Sequence, residues 1–349
     1  MTILTVIAAI IGFGIIITIH EAGHFFVAKK CNVKINEFSI GMGPAIFSKQ
    51  KGETKYSLRA LPIGGYCAMA GEDESSDDPR AFRNRPVWQR MLVTVAGATM
   101  NLILGFILIL IVTCMDNAIT TTTIAGFHQN ADGESISTSE NWLQKEDRLL
   151  YINGLRIYTA TDISYALQND NCDTFTVVVE RNGQEVTLEN VEFKDKTTGG
   201  LLDFYVYGAK KTFGRVIEYT GKTFVSTARL IWISLRDLIG GKYGFHDLSG
   251  VVGIIDQTTE VVSKGKNLAE KLWMLLDLMS FITVNVGIFN LIPFPALDGG
   301  RMVFLFIEAI FKKSVPAKVE GMIHFVGLAA LMLLMVAITF QDIGKIFAR

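Results

Sequence analysis

The sequence has little of what holds small secreted domains or nucleic-acid binders together. It carries 4 cysteines in 349 residues, and Cys31, Cys67, Cys114 and Cys172 form neither a CxxC pair nor a regular framework. That argues against a disulfide scaffold and against cysteine-ligated zinc, and leaves four packing thiols. It has no excess charge of either sign: 33 Lys and Arg face 34 Asp and Glu, for a formal net charge of −1. Nucleic acid is therefore not the expected partner. There is no internal repeat and no low-complexity tract. No Lys or Arg precedes the first apolar run and no A-x-A-like site ends it, so residues 1–19 read as part of an uncleaved membrane helix rather than a signal peptide.

What the chain has is clustered apolar sequence. Half of its residues are hydrophobic, and the apolar runs lie near both ends with a polar middle between them. Runs of this length are expected to cross a bilayer. Residues 1–30 form the first such helix, ending in Lys29-Lys30, a basic flank that favours the cytoplasmic side. Residues 31–90 change period to short glycine-punctuated strands, followed by an acidic loop (Glu72–Pro79) and a basic one with Arg80, Arg83, Arg85 and Arg90. A sheet edge here could receive an extended peptide by strand addition; a plain β-meander reads equally well. Residues 91–116 form the second membrane helix, in which the small residues of Ala96–Asn101 let a neighbouring helix approach closely and Asn101 is expected to face the bundle interior. Residues 117–209 are polar and β-rich, and residues 210–270 hold an amphipathic helix suited to the membrane interface and then a loop. Residues 271–300 form the third membrane helix, 301–321 a basic loop, and 322–349 the fourth membrane helix and C-terminus. Four crossings put both termini and the 117–209 insert outside the cell.

The chemistry starts inside the first helix, at His20-Glu21-Ala22-Gly23-His24. Two histidines four apart lie about one turn apart on one helix face, where both imidazoles reach one metal ion. The glutamate between them can take a proton from the attacking water. A hydrolytic zinc usually has three protein ligands and one open position. Asp298, just after the broken helix end Pro293-Phe294-Pro295, is the best third ligand by topology; Asp277 and Glu308 are the alternatives. Asn290 could hydrogen-bond a substrate backbone or a neighbouring helix. His128 and His246 read as solvent-facing loop residues, and His324 as a packed, hydrogen-bonded group.

His20–His24 together with Asn290-Leu-Ile-Pro-Phe-Pro-Ala-Leu-Asp298-Gly-Gly300 resembles the site-2 protease family, and the bacterial branch with a PDZ insert most closely. The similarity runs through Phe38–Pro44, Tyr56–Tyr66, Pro86-Val87-Trp88 and Leu297–Arg301. It departs at Ala98 and Val251, where the family has proline. The resemblance implies a polytopic α-helical membrane protein of about four transmembrane helices, with a membrane-associated β-hairpin region and an inserted extracytoplasmic PDZ-like α+β domain. It implies one Zn2+ per chain, held by His20, His24 and Asp298, with Glu21 as catalytic base. It also implies that the hairpin clamps an unwound substrate, with Gly41, Gly43, Asn290, Pro293 and Pro295 as candidate substrate-binding residues. The substrates implied are single-pass membrane proteins in the bacterial plasma membrane.

The segment 148–188 (strand, turn, short helix, strand, turn, strand) looks like a PDZ domain, but Trp142–Asp147 lacks the glycines expected near its groove. A steric filter is thus as good a reading as peptide capture. Two other functions compete with proteolysis. A non-catalytic membrane scaffold binding peptides through the PDZ-like domain is disfavoured by the intact Glu21 and ligands, and a metal transporter by the polar residues lying at one depth only.

Overall fold

The computed structural model describes residues 3–72, 76–129, 132, 135–169, 172–193, 203–244 and 248–347. The chain forms two compact units, one of Met1–Leu108 with Ile231–Arg349 and one of Ile109–Leu230.

The first unit is helical with one sheet. Helix α1 (Ile3–Lys30) is apolar on nearly all faces up to His20 and leads into the strands β1 (Ile35–Lys51) and β2 (Thr54–Met69). These strands are longer than the short ones expected, and they fold back on each other. Phe38 lies opposite both Cys67 and Tyr56, Ser39 opposite both Tyr66 and Ser57, and Ile40 opposite both Gly65 and Leu58. The start of β1 is thus bordered on both sides. The Gly65–Met69 end of β2 lies against it on one side. A small core of Phe25, Ala28, Val33, Ile35, Cys67 and Phe82 seats this sheet on the end of α1. Arg59 ties the sheet together, donating to the Ser39 hydroxyl at 3.0 Å, the Gly43 carbonyl at 2.6 Å and Glu37 at 2.9 Å. Burial pushes the Glu37 carboxyl up, but hydrogen bonds from Ser57, Arg59 and Tyr66 outweigh it and hold the group below the usual carboxylate range.

Helix α2 (Val87–Met115) follows, and α4 (Phe213–Ile239) brings the chain back to the first unit, followed by α5 (Val251–Ser263), α6 (Leu268–Asn290), α7 (Asp298–Phe311) and α8 (Ala317–Phe347). Among the described residues, four helices are long and apolar enough to cross a membrane: Val6–Lys30, Val87–Met115, Leu268–Asn290 and Ala317–Lys345. Ile16, Met279 and Ile282 form a buried contact between α1 and α6. Many other apolar side chains face outward, among them Ile7, Ile11, Ile15, Ile103, Ile107 and Leu333. In water that exposure would be costly; in hydrocarbon it is the ordinary state.

Two segments expected as loops are helices. Val251–Ser263 is α5, although the later part of 210–270 was expected to be a loop. Its sequence is rich in β-branched residues and weakly helical by itself. A distant group supplies the start: the buried carboxylate of Asp342 on α8 accepts the Gly250 and Gly253 backbone N–H groups at 2.9 and 2.8 Å. That satisfies donors no earlier turn can reach. Asp298–Phe311 is α7, so the expected loop 301–321 is helical through Phe311. Gly299 and Gly300 are poor helix formers, but they sit in its first turn where the chain must pass close to the backbone of Leu291–Pro295.

The second unit carries β3 (Ile119–Phe127), β4 (Arg148–Ile152), β5 (Leu155–Arg156), α3 (Ala160–Asn169), β6 (Phe175–Arg181), β7 (Gln184–Val191) and β8 (Phe204–Ala209). The sheet runs in the order β7-β6-β4-β3-β8, with β5 paired to β4. Val177 and Val179 alternate along β6, and Leu149 and Ile152 of β4 lie either side of a register shift; all four bury with Ile163 and Leu167 of α3. Asp162, fully buried, accepts the Tyr158 and Thr159 N–H groups at 2.8 Å and pairs with Arg229 of α4 at 2.7 Å.

Candidate metal and catalytic site

The spacing of the α1 motif does what helix geometry dictates. His20 and His24 are both buried on one face, with their Nε2 atoms 3.2 Å apart. Asp298 reaches them from the first turn of α7, its Oδ2 at 3.2 Å from His20 Nε2 and 3.4 Å from His24 Nε2. Ligand atoms of the three residues lie within 4.8 Å of one another, and they are the one such group among the described residues. The alternatives are placed elsewhere: Glu308 is occupied by an ion pair with Arg90, and Asp277 lies outside this group.

Three observations test whether this set fits a metal ion. Asp298 Oδ2 is buried without a hydrogen-bond partner, a state that costs free energy unless a cation occupies the gap. The outer nitrogens of both imidazoles are engaged. His24 Nδ1 lies 2.8 Å from the Val93 carbonyl, which makes it the protonated nitrogen and turns the Nε2 lone pair inward. His20 Nδ1 lies 3.3 Å from the side-chain amide of the fully buried Asn101, whose Oδ1 is otherwise unpartnered. With the amide turned over, that oxygen accepts the His20 Nδ1–H. Finally, Gly97 of α2 faces the pair. A Cβ there would lie 2.3 Å from His24 Nε2 and 2.7 Å from His20 Nε2, so only glycine leaves the cradle open. The donors, two imidazoles and one carboxylate, are those of a hydrolytic zinc site with an open position.

The cluster opens into a cavity of about 440 Å³ lined by Glu21, Tyr66–Met69, Glu72, Asn290, Arg301 and His324 among others. Glu21 sits one residue from His20, facing the end of β2, where a Cβ on Gly65 would touch its Cγ at 3.6 Å. Asn290 is in the cavity, and its Nδ2 donates to the Val286 carbonyl at 3.0 Å. Gly41 and Gly43, each at φ +84°, and Pro293 and Pro295 do not line it.

Several placements differ from expectation. Glu72, expected in a solvated acidic loop, is partly buried, accepts the Met69 N–H at 3.4 Å and forms an ion pair with Arg301 at the cavity wall. Asp78 of the same stretch pairs with Lys34 at 3.0 Å; residues 73–75 lie outside the described residues. His128 is half-buried against the Tyr205 ring rather than free in solvent, with ring centroids 4.1 Å apart. His246 lies outside the described residues. His324 is packed and hydrogen-bonded, as expected. The roles of Gly97 and Asn101 were not legible as such: the small residues of Ala96–Asn101 announced close helix packing, not two histidines behind it.

Apolar spanning helices around a His-His-carboxylate cluster, with a glutamate beside it, define a polytopic membrane protein of the metallopeptidase class. The family model of Peptidase family M50 matches residues 8–334, and the chain belongs to that family, the site-2 proteases. It is 35% identical over 347 residues to a Clostridium acetobutylicum relative, covering 98% of each chain. It is 30% identical to the Bacillus subtilis regulator of sigma-W protease RasP, over 99% of this chain and all of that protein. It is likewise 30% identical to the zinc metalloprotease RasP of Bacillus licheniformis, over 98% and 99%. The protein is a zinc metalloendopeptidase of a multi-pass bacterial membrane type.

Proposed function

We propose that this chain hydrolyses peptide bonds within or near the transmembrane segments of single-pass membrane proteins, with His20, His24 and Asp298 as zinc ligands and Glu21 as catalytic base. The observation that carries this is the convergence within 4.8 Å of ligand atoms of His20 and His24, which share with Glu21 a helix apolar enough to span a bilayer, and of Asp298 from α7. Bound zinc supplies a Lewis acid for the scissile carbonyl and lowers the pKa of water toward neutrality. Glu21 takes a proton from the attacking water and delivers it to the departing amide nitrogen as the C–N bond breaks. Asn101 and the Val93 carbonyl hold the two imidazoles in the orientation the ligands need.

A substrate helix bonds its own backbone, so it must unwind before it can be cut. The Gly65–Met69 end of β2, whose Tyr66–Met69 line the cavity, offers a strand on which an extended peptide can be held. Asn290 is suited to a contact with the substrate backbone. Gly41, Gly43, Pro293 and Pro295 would act at a distance, by shaping the hairpin and the turn before α7. The 117–209 insert acts as a PDZ-like filter or peptide-binding module on the extracytoplasmic side, with both termini on that side. The name of the Bacillus subtilis relative, a regulator of sigma-W protease, favours a regulatory substrate such as an anti-sigma factor; a remnant signal peptide is the other substrate class.

The test uses purified, zinc-loaded protein in detergent and single-pass peptides with helix-destabilising residues in the span. Cleavage inside the span, stopped by a chelator and restored by zinc, is expected. Failure to cut any such peptide would favour the scaffold reading.

A further inference from the structure

We propose that His324 of α8 is a positioning residue for Asp298: it holds the turn that presents this carboxylate to His20 and His24. The inference rests on Asp298 being a ligand. Between α6 and α7 the chain runs through Pro293-Phe294-Pro295-Ala296-Leu297, and Ala296 sits two residues before Asp298 at φ +82°. An L residue with a Cβ rarely adopts that conformation, so the turn must be held from outside. The Ala296 N–H donates to His324 Nδ1 at 2.9 Å. An accepting Nδ1 is a bare nitrogen, which puts the proton of the neutral ring on Nε2.

A second, independent contact lies one turn further along α8. A Cβ on Gly327 would lie 2.5 Å from both Pro295 Cβ and the Pro295 carbonyl oxygen, so α8 and the turn touch backbone to backbone. The neighbours of these two residues make the point sharper. Gly327 is buried and His324 half-buried, while Phe325, Val326 and Leu328 beside them are exposed. This stretch of α8 is covered where it meets the turn and bare elsewhere. The imidazole is itself steadied by the Phe304 ring of α7, with centroids 5.6 Å apart. His324 thus joins α6–α7 connection, α7 and α8 at the point where the metal-facing carboxylate leaves the backbone. It lines the same cavity as Glu21 without belonging to the ligand cluster.

The experiment is zinc affinity in detergent by competition with a chelator of known affinity, together with thermal unfolding of the zinc-free protein. His324→Phe keeps the ring volume against Phe304 and removes the acceptor; it is expected to weaken zinc binding about tenfold, the scale of losing a group that orients a ligand. His324→Asn, which can still accept a backbone N–H, is expected to recover most of that loss. In an Ala296→Gly background the turn needs no holding, since glycine takes positive φ freely, and His324→Phe is expected to cost clearly less. A packing role alone would give the same loss in both backgrounds, and that result overturns the proposal, as does wild-type zinc affinity in His324→Phe. Asp298→Ala in the same assay separates the two claims. If it binds zinc as tightly as the parent, the ligand assignment has failed. If it loses zinc while His324→Phe does not, the ligand stands and the positioning role has failed.

Discussion

The two halves of the site are built by opposite means. His20, Glu21 and His24 stand on one uninterrupted helix, and their relation to each other follows from the helical repeat alone. Asp298 is delivered by an irregular turn with a positive-φ alanine and two prolines, against whose backbone the two glycines of the first turn of α7 pass. That turn has meaning only once α6, α7 and α8 have packed. A local half needs little support for its internal geometry and much for its surroundings. A tertiary half needs support for the geometry itself.

The comparison can be broken from either side. Removing a proposed ligand gives the largest effect: His24→Ala and Asp298→Ala are each expected to lose stoichiometric zinc, read by metal analysis of the purified protein. Next comes the cradle. Gly97→Val puts a side chain where His24 Nε2 and His20 Nε2 converge and is expected to weaken zinc binding by about a hundredfold, with the helical signal in circular dichroism retained. If Gly97→Val binds zinc normally, the convergence of the two imidazoles is not as tight as described.

Smaller effects sit at the cavity wall. Arg301→Met leaves Glu72 without its partner and loosens the end of β2 from α7. A loss of about 1–2 kcal/mol is expected from one charged hydrogen-bonded pair of this exposure, measured as a lowered melting temperature in detergent. The smallest is the hairpin. Because the folded Glu37 carboxyl lies below its ordinary value, its contribution is fully present above the usual carboxylate pKa of about 4.3 and is lost as pH falls through the folded value. The protection of β1 and β2 amides, corrected for the intrinsic pH dependence of exchange, should therefore fall in acid, and Glu37→Gln should remove that step.

The same contrast sets how much was legible beforehand. The spanning helices could be read because lipid demands long apolar runs, and the His-Glu-His face because a helix repeats regularly. Asp298 could be placed only by matching membrane depth. The helices α5 and α7 were missed for a physical reason: α5 starts on a carboxylate 89 residues away from Gly253 in the chain, and α7 starts on glycines that local propensity counts against a helix. Gly97 and Asn101 carried a packing signal whose purpose depends on what stands opposite. Glu72 looked like a solvated acid because Arg301, its partner, lies 229 residues further on.

In the proposed mechanism Glu21 moves the proton while His20, His24 and Asp298 hold the metal. Glu21→Gln preserves size and removes the base. The purified variant should bind one zinc per chain with parental affinity and cleave a helix-destabilised membrane peptide about a thousandfold more slowly. Cleavage at the parental rate with zinc in place would mean that Glu21 is not the base.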